Sequence, residues 1–295
     1  MPKSESKTKA KNKKIKTKSG KSTNIEIDKV YNIYSLSKPQ YHILIQNIFN
    51  QLIKKDQPSQ ERQCVIIYGT PGAGKTTATR KYLREQFSKE KKFLIIDRDE
   101  LTFNYTTYFT FMEKFLKTIK MDHDPNDILL PQNIVTSATN QYYRHLKFFL
   151  QQGNTMMHSL VELAQKQSLN MVIYDPPYRF RFSDQIPKLK ELGYEFHLAY
   201  MFTPLNKIKQ NLKSRNKNNL IVLSDSALRR LTTITITDFV YLCLDGYDNI
   251  DTCTIIDNSK TQAEMSQIRD WDFIYRFQKR GEKDKIPSGF ESIKY

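Results

Sequence analysis

The stretch Val65 to Thr77, VIIYGTPGAGKTT, runs four apolar residues into a glycine-rich turn and then into a lysine and two threonines. A short apolar run bounded by glycine reads as a buried strand, and Lys75 to Phe87 after it reads as a helix. Between them, Gly69-x4-Gly74-Lys75-Thr76 has the spacing of a phosphate-binding loop in its proper context, strand before and helix after. Glycine admits backbone conformations closed to other residues, so consecutive N–H groups can turn inward on an anion. The positive end of the helix dipole adds to that attraction. The expected nucleotide contacts are Gly69, Thr70, Pro71, Gly72, Ala73, Gly74, Lys75, Thr76 and Thr77. Lys75 would reach the β and γ phosphates and the Thr76 hydroxyl would ligate Mg²⁺, so ATP and Mg²⁺ are the implied cofactors.

Working outward, Ser37 and Pro39 make a helix start, and Tyr41, Leu44, Ile45, Ile48, Phe49, Leu52 and Ile53 recur at helical spacing up to Lys55. Beyond the loop helix, apolar runs at Phe93–Ile96, Met171–Tyr174, Glu195–Phe202 and Thr252–Ile256 read as four more strands. Helical patterns fill Tyr105 to Gln167, Leu205 to Arg215 and Ser224 to Leu244, and a last helix is expected from about Ser259. Strands alternating with helices specify an α/β fold with a five-stranded parallel sheet flanked by helices; the loop makes it of the P-loop NTPase type, for which kinase-like topology is the expectation. No internal repeat or long linker divides residues 23–295, so they are expected to form a single domain with its core at 62–259.

Half of the net charge of +16 lies in residues 1–22, which hold nine Lys and one Glu. Ile15 is the only bulky aliphatic residue there after Met1, too little apolar surface to offset the entropy of ordering. The tail is expected to be disordered and to offer a nonspecific contact to nucleic acid, or a nuclear address. No run of 18 apolar residues and no apolar stretch behind the lysines is present, so the expectation is an intracellular, cytoplasmic protein without a membrane partner. Cys64, Cys243 and Cys253 are widely spaced among apolar residues, which suits buried reduced thiols. Asp122-His123-Asp124 has ligand-type side chains but runs into Pro125-Asn126 and reads as a solvated loop.

Two apolar runs end in aspartate, Asp97 and Asp175, and either could steer the metal. In kinase topology the strand next in sequence after the loop helix lies beside the phosphate acceptor, and the following strand lies beside the loop. That order assigns Asp175 to Mg²⁺ and Asp97-Arg98-Asp99 to the acceptor.

YGTPGAGKTT followed about twenty residues after Lys75 by LIIDRDEL resembles the zeta toxin group of small-molecule kinases, and DRD is similar to the matching stretch of polynucleotide 5′-hydroxyl kinases. NMVIYDPPYR, GYEFHLAYMFTP and NLKSRN are weaker echoes, and the resemblance spans residues 62–259. It implies that Asp99 is the general base toward the acceptor hydroxyl, with Lys75 the phosphate lysine and Arg215 the catalytic lid arginine. Asp97, Arg98 and Arg179 would contact substrate. Thr102 stands where the family commonly has a basic residue, His158 takes the place of a substrate-binding glutamate, and no second lid arginine is evident in NKNNLIVLSD. The implied activity is transfer of the γ-phosphate of Mg-ATP to a hydroxyl of a small molecule such as a nucleotide sugar. A polynucleotide 5′-hydroxyl kinase and an NTPase switch without a small acceptor are the alternatives.

Overall fold

The computed structural model describes residues 29–118, 136–174, 186–219, 225–245, 250–259 and 264–267. The basic tail and the segment Asp122–Asp124 lie outside the described residues. Helix α1 (Lys38–Asp56) begins at Ser37, whose N–H donates to the Gln40 side chain at 2.9 Å, with Pro39 in the first turn where its missing N–H costs nothing. Its stripe Leu44, Ile45, Ile48, Phe49 and Leu52 is buried. Strand β1 (Gln63–Tyr68) follows and is buried throughout, as a central strand of a sheet covered on both faces must be. Asn170 fixes its entry by accepting from the N–H groups of Glu61 and Gln63, each at 3.0 Å.

The loop helix α2 (Lys75–Gln86) leads to β2 (Leu94–Asp97), the short α3 (Arg98–Tyr105), then α4 (Tyr108–Thr118) and the long α5 (Thr136–Lys166). Then come β3 (Met171–Tyr174), α6 (Ile186–Glu191), β4 (Glu195–Phe202), α7 (Leu205–Asn219), α8 (Asp225–Asp245), β5 (Thr252–Asp257) and β6 (Glu264–Gln267). The sheet order is β2-β3-β1-β4-β5-β6, the first five strands parallel and β6 antiparallel to β5. All five expected strands are present, and β3 stands between β1 and β2 as kinase topology requires. The expected helix from Ser259 is corrected: residues 264–267 pair instead with β5, Met265 opposite Ile256 and Glu264 opposite Asp257. The pairing covers an edge of β5 that a parallel sheet of five would leave open.

Alternation along the strands divides the core in two. Cys64, Ile66 and Tyr68 join Ile96, Ile173 and Leu198 on one face, packed by α1, α5, α6 and α8. Val65, Ile67, Tyr174, Ala199 and Met201 share the other face with Ala78 and Tyr82 of α2. A separate aromatic cluster, Tyr108, Met112, Tyr142 and Phe149, locks α4 to α5. Gly153 of α5 is where α3 comes close, because a Cβ there would meet the Thr102 hydroxyl and lie 2.9 Å from the Arg98 carbonyl. The thiols of Cys243 and Cys253, separate in sequence, are 2.6 Å apart across α8 and β5; Cys64 is buried by itself in β1. Among the described residues no cluster of metal-ligating side chains is present and no helix is long and apolar enough to cross a membrane.

Candidate active site

The loop after β1 sits where the strand order reverses, with β3 and β2 on one side and β4 and β5 on the other, at the carboxyl ends where open parallel sheets bind ligands. Its shape depends on two left-handed glycines. Gly72 (φ 85°) has no room for a Cβ, which would fall 2.7 Å from Leu212 Cγ, and Gly74 (φ 88°) caps α2 in the same conformation.

The loop's carbonyls are tied from behind. Asn211 of α7 donates to the Gly72 carbonyl at 2.8 Å; Thr203, just after β4, and Asn258, just after β5, both donate to the Ala73 carbonyl at 2.8 Å. Thr70 donates to Thr232 of α8 at 3.2 Å, and Lys207 secures Asn258 through its backbone carbonyl at 2.7 Å. In a trans peptide the N–H points opposite to the C=O, so the Gly74 N–H faces away from Asn258 and Thr203, toward the side where an anion would lie. These braces were not read from the sequence. The polar residues that end β4 and β5, Thr203-Pro204 and Asn258-Ser259, were the available signal.

Lys75 opens α2 and donates to the Gly69 carbonyl at 2.6 Å, which folds its ammonium back over the loop. Thr76 and Thr77, in the first turn, are exposed. Pro71 is half-buried and Ala73 is in the core under α2. A cradle of this kind, with a lysine at its mouth and an exposed hydroxyl in the first helical turn, fits a Mg-nucleotide.

Two strands from β1, Asp97 ends β2 and caps α3, accepting from the N–H of Asp99 at 2.8 Å. Burial and then the Asp99 charge push its carboxyl up to about 6, against the pull of its backbone hydrogen bond, Lys75 and Arg98. Lys75 and Asp97 thus feel each other across the mouth of the site. Arg98, almost fully buried, donates from Nε (2.9 Å) and Nη2 (2.6 Å) to one oxygen of Asp99. Asp99 keeps 39% of its side chain exposed. The structure therefore joins Asp97, Arg98 and Asp99 into one cluster and makes Arg98 the residue that holds Asp99. Thr102, one turn on, is buried and donates to the Arg98 carbonyl at 2.9 Å.

His158 lies half-buried on α5, where burial lowers its imidazole to about 4 and leaves it neutral at physiological pH. Arg215 falls within α7. Asp175 and Arg179 lie outside the described residues.

Sheet order and loop together define a P-loop NTPase fold. No family model matches the sequence, and no curated protein matches it in sequence. Many solved structures match in shape, and two of them illustrate the likeness. One is a chain of the PezAT chromosomal toxin–antitoxin system of Streptococcus pneumoniae, at a TM-score of 0.53 and 16% identity over 79% of this chain and 83% of that one. The other belongs to AvrRxo1-ORF1:-ORF2 with ATP, at a TM-score of 0.50 and 11% identity over 90% of this chain and 77% of that one. At these identities the likeness is one of fold, and in fold the chain resembles the zeta toxins.

Proposed function

We propose that the protein is a Mg-ATP-dependent kinase that transfers the γ-phosphate to a hydroxyl of a small molecule. The observation that carries this reading is the carboxylate cluster at the end of β2, set off from the phosphate loop by β3 and close enough to Lys75 for charge to act between them. A kinase uses a carboxylate beside the γ-phosphate to orient the incoming hydroxyl and take its proton, the role this cluster is placed to fill. The fold shared with a structure that holds ATP, AvrRxo1-ORF1:-ORF2, supports the choice of nucleotide.

In this mechanism the glycine loop and the first turn of α2 cradle the phosphates, and Lys75 leaves the Gly69 carbonyl for them. Mg²⁺, when bound, offsets charge on the phosphate oxygens; Thr76 would hold it, with Asp175 the proposed second ligand. Asp99, oriented by Arg98, accepts the proton of the acceptor hydroxyl as that oxygen attacks. Asp97 fixes the start of α3 and so the position of Asp99. Arg215 is the proposed cation over the transferring group, and His158 and Arg179 the proposed acceptor contacts. A nucleotide sugar is the candidate acceptor, and residues 23–295 are taken as one catalytic domain. The basic tail would add nonspecific nucleic-acid contact, which is why a 5′-hydroxyl polynucleotide stays as the second acceptor class.

The test is incubation with labelled ATP and Mg²⁺ against separate pools of nucleotide sugars, nucleosides and 5′-hydroxyl oligonucleotides, with Lys75→Ala as control. Label transferred to one pool by wild type and not by the variant is expected. ATP turnover at the same rate with and without every acceptor would overturn the kinase reading in favour of a plain NTPase.

A further inference from the structure

Tyr174 is the last residue of β3, level with Ile67 at the end of β1 on one side and with Asp97 on the other. Its ring lies on the α2 face of the sheet and is 4% exposed. Its hydroxyl is buried and has no hydrogen-bond partner. Buried hydroxyls are almost always paired, and one left unpaired is costly enough to require a reason.

The surroundings supply the reason. The Thr79 and Thr76 hydroxyls lie nearest to it, with Asp97 and Arg80 also close enough for their charges to act on it, but none of the four meets the hydroxyl in full hydrogen-bond geometry. Thr79 commits its proton to the Lys75 carbonyl at 2.7 Å, so toward the phenol it could act only as an acceptor. Thr76 is the exposed first-turn hydroxyl of the loop helix, and Asp97 is the carboxylate across from it. Tyr174 thus presents an O–H between the phosphate loop and the acceptor carboxylates, on the side of the sheet where α2 begins.

We propose that Tyr174 is a ligand-binding residue whose hydroxyl donates a hydrogen bond to an oxygen of the bound Mg-nucleotide, either a phosphate oxygen or a water on the ion. The inference rests on the nucleotide site proposed above. A phenol suits the role because it donates a hydrogen bond without carrying charge. The hydroxyl gains a protein-independent partner only when the ligand arrives, so the residue favours the loaded state without stabilising the fold.

That asymmetry gives the test. Tyr174→Phe keeps the buried ring and removes only the unpaired oxygen. Thermal melting of the ligand-free protein and calorimetric titration with Mg-ATP and Mg-ADP are measured for wild type, Tyr174→Phe and Lys75→Ala. The expected result is a melting temperature for Tyr174→Phe equal to or above wild type, with Mg-nucleotide affinity weakened about tenfold or more. Repeating the titration in EDTA separates the two oxygens: a loss that persists assigns the phosphate, and one that vanishes assigns the water on the ion. A Tyr174→Phe protein that melts lower than wild type and binds Mg-ATP equally well would make the hydroxyl structural and overturn the proposal, while Lys75→Ala losing binding in the same series would leave the nucleotide site itself standing. Failure of wild type to bind either nucleotide would overturn both.

Discussion

Replacing Asp97 by Asn should make the ligand-free protein more stable at neutral pH, and the size of the gain follows from where the carboxylate sits. Its pKa rises from 3.8 in the ordinary state to about 6 in the fold, through burial first and the neighbouring Asp99 second. Between those two values the native state holds a proton that the unfolded chain has released, so stability falls as the pH climbs through the window and stays at its reduced level above it. A displacement of this size corresponds to about 3 kcal/mol at 1.36 kcal/mol per pH unit. Asn cannot ionise, yet it caps a helix as well as Asp does and can still accept from the Asp99 N–H. At pH 7.5 the variant should therefore melt about 6 to 12 °C above wild type, at the 2–4 °C per kcal/mol of a chain this long. At pH 3.5 the two curves should meet, because both side chains are then neutral. Calorimetry or circular-dichroism melts of the free protein from pH 3.5 to 8 read this directly. A variant less stable at pH 7.5, or an advantage that does not shrink on acidification, would refute the view that Asp97 is held charged at a cost. The same charge is what a cation at the loop would relieve, which ties the stability experiment to the site.

Asp99→Asn should bind Mg-ATP within about twofold of wild type and transfer phosphate at least about a hundred times more slowly, in rapid-quench assays with the acceptor identified. It should also melt lower, since Arg98, 10% exposed, loses its carboxylate partner. Undiminished transfer would move the base elsewhere. Gly153→Ala gains about 1 kcal/mol in helix propensity but pushes a methyl into the Arg98 carbonyl and Thr102, an overpacking of about 1–3 kcal/mol. A melting point a few degrees lower and slowed transfer are expected, and a stabilised, fully active variant would contradict the close approach of α3. Deleting residues 1–22 should leave transfer to a small acceptor unchanged and weaken salt-dependent binding to nonspecific DNA in a filter or fluorescence assay; affinity indifferent to both deletion and salt would assign that binding to the folded part.

What the sequence disclosed was whatever local pattern encodes. The apolar runs around Ile66, Ile96, Ile173, Leu198 and Ile255 are long enough and branched enough to name every parallel strand, and the glycine spacing at 69–74 named the loop. Kinase topology was legible only through the resemblance of the loop and the DRD stretch to a kinase family, and the position of β3 beside β1 agrees. The sixth strand was hidden, since a four-residue segment on a sheet edge carries too little hydrophobic signal to be told from the start of a helix. The cluster at Asp97–Asp99 could be named but not arranged: nothing in DRD says that Arg98 turns back onto Asp99, which depends on α5 approaching α3 at Gly153. Side-chain braces such as Asn211, Thr203 and Asn258 were equally out of reach, because they join positions that only the finished sheet brings together.

Those braces have a consequence for how the protein is made. The loop is complete in the nascent chain by Thr77, yet the groups that fix its carbonyls come 130, 139 and 185 residues later, at Thr203, Asn211 and Asn258. Contacts so distant along the chain form late, after most of the loop-closure entropy has been overcome. A chain still on the ribosome would therefore carry the nucleotide motif for most of its synthesis without the means to shape it. The set of braces is complete only when β5 docks and brings Asn258 to the loop.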